Sequence, residues 1–105
     1  MIVFSIVDAA DQQFGTIMNN RRVTIRLRWN LSSGRWSFDL AIDDFPVLTG
    51  RRIVLGVDML APFDFGIGAI FALAAVPGAQ PGRNELPAGD VRLYHATYEE
   101  IAAAA

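Results

Sequence analysis

The chain has 105 residues, 52% of them hydrophobic, with nine basic against eleven acidic residues and a formal net charge of −2. That size and composition describe one domain able to bury a modest core, and they exclude a disordered chain. Near-balanced charge gives no global pull toward nucleic acid or an anionic membrane, and the lack of cysteine removes disulfides, thiolate metal sites and cysteine nucleophiles.

The N-terminus, "MIVFSIVDAADQ", lacks a basic n-region and meets Asp8 early, so it does not read as a signal peptide. Residues 2–7, "IVFSIV", are β-branched and loosely alternating, and a second strand is predicted over 13–18 after the polar break. The clearest segment is "RVTIRLRWN" at 22–30. Val23, Ile25, Leu27 and Trp29 fall on one face, with Thr24, Arg26, Arg28 and Asn30 on the other. After a Ser-Ser-Gly turn, Trp36, Phe38, Leu40 and Ile42 alternate with Ser37, Asp39, Ala41 and Asp43.

"DDFP" then breaks the pattern, "VLTG" resumes it, and "RRIVLG" at 51–56 reads as a further short strand. "VDMLAPFDFGIG" at 57–68 is irregular. "AIFALAAV" at 69–76 reads as a continuous, doubly buried strand. It lies within the longest apolar run, about half the length that a membrane-spanning helix needs. "PGAQPGRNELPAG" at 77–89, with three prolines and three glycines, reads as a loop, and "DVRLYHATY" as the last strand. The expected fold is all-β, a small antiparallel barrel or sandwich of about seven short strands. Residues 1–98 form a single β domain, and 99–105 form a C-terminal tail, either a frayed helical turn or disordered. The chain is expected to be soluble and made inside a cell.

Arginine interleaved with tryptophan in "RLRWNLSSGRW" fits two chemistries, a nucleic-acid or sugar platform and an ordinary hairpin with a buried aromatic face. An antiparallel register with Trp29 opposite Trp36 sets Leu27 against Phe38, Ile25 against Leu40 and Arg26 against Asp39. A slip by two residues keeps both faces and sets Arg28 against Asp39. In either register the tryptophans share the apolar face, whereas a nucleic-acid platform puts its aromatics beside the basic residues. Trp29, Trp36 and Phe38 are therefore assigned to the core. The alternative is an OB-like binding module for single-stranded nucleic acid or oligosaccharide, built on Arg21, Arg22, Arg26, Arg28 and Arg35.

No catalytic, cofactor-binding or metal-binding constellation is legible. His95 is alone in the last strand. Asp43-Asp44 and Glu99-Glu100 are neighbours, which in a strand point to opposite faces, and they read as a turn and a solvated tail. The glycines of "GIGAIF" lack the Gly-Lys-Ser/Thr of a phosphate loop. Two features are candidate partner contacts. The first is Phe63 and Phe65, which either cap one end of the fold or form an exposed anchor. The second is Arg51-Arg52, either a solvated strand end or an anion or partner contact. The 77–89 loop is a third candidate surface.

"RRVTIRLRWN", "SGRWSFDL", "PVLTGRRIVLGVDML" and "VRLYHATY" occur in that order. The order resembles the baseplate plug family of small phage tail proteins, described from a contractile-tailed cyanophage and common in prophages. The likeness covers roughly residues 1–98. It implies a virion structural protein of the tail baseplate, assembled in the host cytoplasm, with no catalysis and no cofactor. It further implies a place near the baseplate axis touching hub or tube proteins, self-association within the virion, and no nucleic-acid or membrane partner. The 77–89 loop departs from the family pattern in being Pro/Ala-rich rather than Asp-rich, so the family's contacts at that loop are not carried over.

Overall fold

A computed structural model describes residues 1–104. Seven strands are present among them: β1 (Ile2–Val3), β2 (Asp11–Met18), β3 (Arg21–Asn30), β4 (Arg35–Ile42), β5 (Phe45–Arg52), β6 (Ala69–Ala74) and β7 (Val91–Ala96). Two helices complete the set, α1 (Glu85–Ala88) and α2 (Tyr98–Ala104). The strands form a four-stranded sheet in the order β2-β3-β4-β5 and a three-stranded sheet in the order β1-β7-β6. Every pairing is antiparallel. The sheets do not close on each other, so of the two predicted all-β forms this is the sandwich and not the barrel.

The four-stranded sheet is a meander because its turns are cheap for the residues that make them. Asn19-Asn20 and Asp43-Asp44 all have positive φ, between 50° and 69°. A two-residue primed hairpin turn needs that conformation, and Asn and Asp tolerate it. Between β3 and β4 the Asn30 side chain accepts from the Ser33 N–H at 3.1 Å, and Gly34 closes the turn with φ 65°. The β3–β4 register sets Trp29 opposite Trp36 and Arg26 opposite Asp39, the first of the two registers considered.

Period-two alternation then builds the core. Val23, Ile25 and Leu27 of β3 and Trp36, Phe38, Leu40 and Ile42 of β4 are all buried on one face. They meet Ile70, Ala72, Val91 and Leu93 of the other sheet in a single cluster. The connections contribute Phe4, Ile53, Met59, Leu60, Ile67 and Leu86.

Several boundaries differ from expectation. β5 begins at Phe45, so "FP" lies inside the strand. Pro46 is tolerated because β5 is an edge, where its missing N–H deprives no neighbour. "RRIVLG" is not a strand of its own: Arg51 and Arg52 end β5, and the chain then crosses between sheets. Ile53 N–H still bonds the Trp36 carbonyl at 3.0 Å, whereas Gly56 and Met59 N–H bond Ala72 and Ile70 of β6, each at 2.8 Å. The strand expected over 2–7 shrinks to two residues for the same reason, since the chain must cross from β1 to β2. Along that crossing the Gln12 amide substitutes for ladder bonds, accepting from Val7 N–H at 3.0 Å and donating to the Val7 and Ala9 carbonyls.

The strand expected over 69–76 ends at Ala74 and is not doubly buried throughout, because Leu73 is exposed, as is Val76 beyond it. The 77–89 segment is not all loop: Glu85–Ala88 makes one helical turn that plants Leu86 in the core. In the tail, Tyr98–Ala104 forms α2, entered by reciprocal bonds between Thr97 and Glu100, while Ala105 lies outside the described residues. Glu100 also pairs with the N-terminal amine. Among the described residues no helix is long and apolar enough to cross a membrane.

Candidate partner-contact surfaces

Trp36 and Phe38 are each 1% exposed. Trp29, assigned to the core with them, packs against the core from the end of β3 but is less fully buried, its ring edge-on to Trp36 at 5.6 Å between centroids. Beyond Asn30 the strand turns, so nothing continues the sheet over its outer side. Trp36 is instead covered by the 77–89 segment. Its indole N–H donates to the Gly82 carbonyl at 2.9 Å, and the Arg83 guanidinium lies 5.7 Å from the ring centroid while pairing with Asp8. That loop, one of the three candidate surfaces, is thus partly committed to covering the core.

Phe63 and Phe65 stack on each other, with centroids 5.1 Å apart and planes 6° from parallel. They divide the two roles foreseen for them: Phe65 packs against the core, while Phe63 is 39% exposed. The loop is tied to the β2–β3 turn. Arg21 donates to the Phe65 carbonyl at 3.1 Å, and the Asn19 amide donates to the Gly66 carbonyl at 2.8 Å.

The Arg51-Arg52 doublet is split by strand geometry. Arg51 lies opposite buried Phe38 and reaches the Met59 carbonyl at 3.4 Å, tethering the inter-sheet crossing. Arg52 lies opposite Ser37 on the outer face and is exposed. Arg51 touches the start of the 57–68 segment, but Arg52 and the phenylalanine loop lie apart. The loop is held by Arg21 at the start of β3, whereas Arg52 shares a cross-strand row with Arg28, seven residues on, or roughly 23 Å along the strand.

The β3 arginines are largely neutralised, Arg21 on the side of Val23 and Arg22, Arg26 and Arg28 on the outer face. Arg21 pairs with Asp43 at 3.3 Å, Arg22 with Asp44 at 2.8 Å, Arg26 with Asp11 at 2.7 Å and Arg28 with Asp39 at 2.8 Å. Arg26, although directly opposite Asp39, makes a two-pronged pair with Asp11 of β2 instead. The Arg26 guanidinium holds the Asp11 carboxyl below its ordinary value. Of the five arginines that support the OB-like reading, four are therefore engaged by carboxylates, and Arg35 is the exception. His95 is buried, its ring Nε2 donating to the Ile67 carbonyl at 2.6 Å.

One grouping was not legible in the sequence. Arg28, Ser37 and Arg52 form one cross-strand row on β3, β4 and β5, and Arg35 lies two residues from Ser37 on the same face. With Trp29, Asn30 and Ser33 they line an open cleft of about 660 Å³. The β3–β4 half of this row follows from alternation, but two register shifts in the β4–β5 pairing hide its other half.

No curated protein matches the chain. Residues 1–99 match the family described as the cyanophage baseplate Pam3 plug gp18. That match spans every strand of both sheets and the phenylalanine loop, and the chain accordingly belongs to the phage baseplate plug family.

Proposed function

We propose that the protein is a non-catalytic plug near the axis of a contractile-tail baseplate, contacting hub or tube proteins. Its membership of the plug family, over residues 1–99, carries this reading. A baseplate role is structural, and a structural part works through surfaces that its neighbours cover. Phe63 supports one such surface: an aromatic ring 39% exposed, held rigid by stacking on Phe65 and by the bonds from Arg21 and Asn19. Rigid exposed aromatics are favoured contact anchors, because little conformational entropy is lost when they are covered. Arg51 and Arg52 form a second, separate contact, with Arg52 the member free to reach a neighbour.

In this reading residues 1–98 act as one rigid unit carrying the 99–105 tail, copies self-associate within the virion, and assembly precedes release from the host cytoplasm. Nucleic acid and membrane are not partners. The test is co-expression with hub and tube proteins of a contractile phage tail, followed by co-purification. A stable complex with either, weakened by Phe63→Ser, is expected. A chain that stays monomeric and ignores every neighbouring tail protein would count against the plug position.

A further inference from the structure

We propose that the cleft lined by Arg28, Arg35 and Arg52 is a carboxylate-binding site that takes an acidic segment of a neighbouring protein. The inference stands on the cleft alone and goes beyond the baseplate reading, since it depends neither on Phe63 nor on any particular neighbour.

The geometry follows from strand spacing. Arg28 and Arg52 flank Ser37 across the sheet, so their backbones are two strand spacings, or about 10 Å, apart. Ser37 is small and leaves the space between them open, while Arg35 stands beside it along β4. Three guanidinium groups thus surround one small residue. A lone carboxylate, Asp39, offsets them, and its oxygens are already used by Arg28 and the Gly50 N–H. Arg35 and Arg52 have no ion-pair partner among the described residues. Arg28 lines the cleft, but its Nε is buried with no hydrogen-bond partner. That atom is closed off from solvent, so an arriving carboxylate meets the exposed guanidinium groups of Arg35 and Arg52 instead. Planar guanidinium groups match carboxylates in a two-pronged fashion.

A protein carboxylate fits better than a nucleic-acid backbone. A nucleic-acid strand needs successive phosphate contacts along a track. Outside the cleft, the next arginines on this sheet, Arg21, Arg22 and Arg26, are each occupied by an aspartate. On the outer face of this sheet the arginines without an ion-pair partner, Arg35 and Arg52, both stand in the cleft.

The test uses the full chain and an acetylated hexapeptide amide of alternating aspartate and glutamate, with oligothymidylate and inorganic phosphate as the other arms. Binding is read at low salt from the indole fluorescence of Trp29 and Trp36, which both line the cleft, and from the Arg Nε resonances. The peptide is expected to shift both signals. The double variant Arg35→Gln/Arg52→Gln should bind it about tenfold or more weakly, as for loss of close charge pairs, while Arg22→Gln outside the cleft leaves it unchanged. Ser37→Glu, which places a tethered carboxylate in the cleft, should block the peptide independently. No shift with peptide, or a shift indifferent to these substitutions, would overturn the site. Tighter binding of oligothymidylate would reassign it to nucleic acid, and phosphate binding as well as the peptide would reduce it to a simple anion site. Either result overturns the proposal without touching the hub and tube experiment.

Discussion

The indole of Trp36 donates to the carbonyl of Gly82, 46 residues along the chain, at 2.9 Å. The contact joins the four-stranded sheet to the Pro/Gly-rich segment, so one side chain both fills the core and fastens the cover over it. Trp36→Ala should destabilise the fold by about 3–5 kcal/mol, the range for large aromatic deletions. Trp36→Phe, which mainly strands the Gly82 carbonyl, should cost about 1–3 kcal/mol. Trp29→Ala should cost less than Trp36→Ala, because Trp29 is only partly buried. Urea unfolding of the three variants checks the order, and equal losses for the two alanine variants would contradict it.

Gly68 has φ +99°, and a Cβ there would collide with the Ala96 carbonyl oxygen and come within 3.0 Å of His95 Nε2. Gly68→Ala should therefore cost at least about 2 kcal/mol through combined strain and overpacking. At Gly34 the φ is also positive, but nothing lies near a new Cβ, so Gly34→Asn should be tolerated far better. Thermal melts of the two variants separate crowding from conformation.

The Arg26–Asp11 pair predicts a direction with pH. The folded state lowers the Asp11 pKa from its ordinary 3.8 through the hydrogen bond from Arg26. A depressed folded pKa contributes stability that is present above the unfolded value and lost as pH falls through the folded one. Wild type and Asp11→Asn should differ most near neutral pH and converge as pH drops below the ordinary carboxylate value. Both groups are solvent-exposed, so added salt should also shrink the difference. A gap that persists at low pH would show that another contact is responsible.

Phe63 and Phe65 should respond differently to truncation. Phe63→Ser should leave the melting temperature nearly unchanged, since its ring is partly in water already. Phe65→Ser removes a ring packed against the core and should cost about 1–3 kcal/mol. If the loop is the contact proposed above, both variants weaken co-purification with hub or tube proteins, but only Phe65→Ser does so with a loss of stability.

Oligonucleotide binding should be absent at physiological salt. Anisotropy of labelled oligothymidylate should show no micromolar affinity, because Arg21, Arg22, Arg26 and Arg28 are already held by carboxylates. Micromolar binding with a steep salt slope would restore the OB-like alternative.

Alternation alone determined the faces of β3 and β4 and the all-β class, and it narrowed the β3–β4 register to two choices, of which the structure takes the one with Trp29 opposite Trp36. These depend on a side-chain period that each strand carries within itself, and on a tight turn that leaves little choice of pairing. The order of motifs likewise sufficed to indicate the family. Tertiary structure decided what depends on neighbours distant in sequence. Arg26 chose Asp11 over the directly opposed Asp39 because β2 lies on its other side. Trp36 is sealed and Trp29 is not because the 77–89 segment covers one of them. Arg28, Arg35 and Arg52 share a cleft because bulges between β4 and β5 set Arg52 opposite Ser37. A one-residue change in that pairing would turn Arg52 to the other face, and no local pattern in the sequence encodes where a bulge will fall.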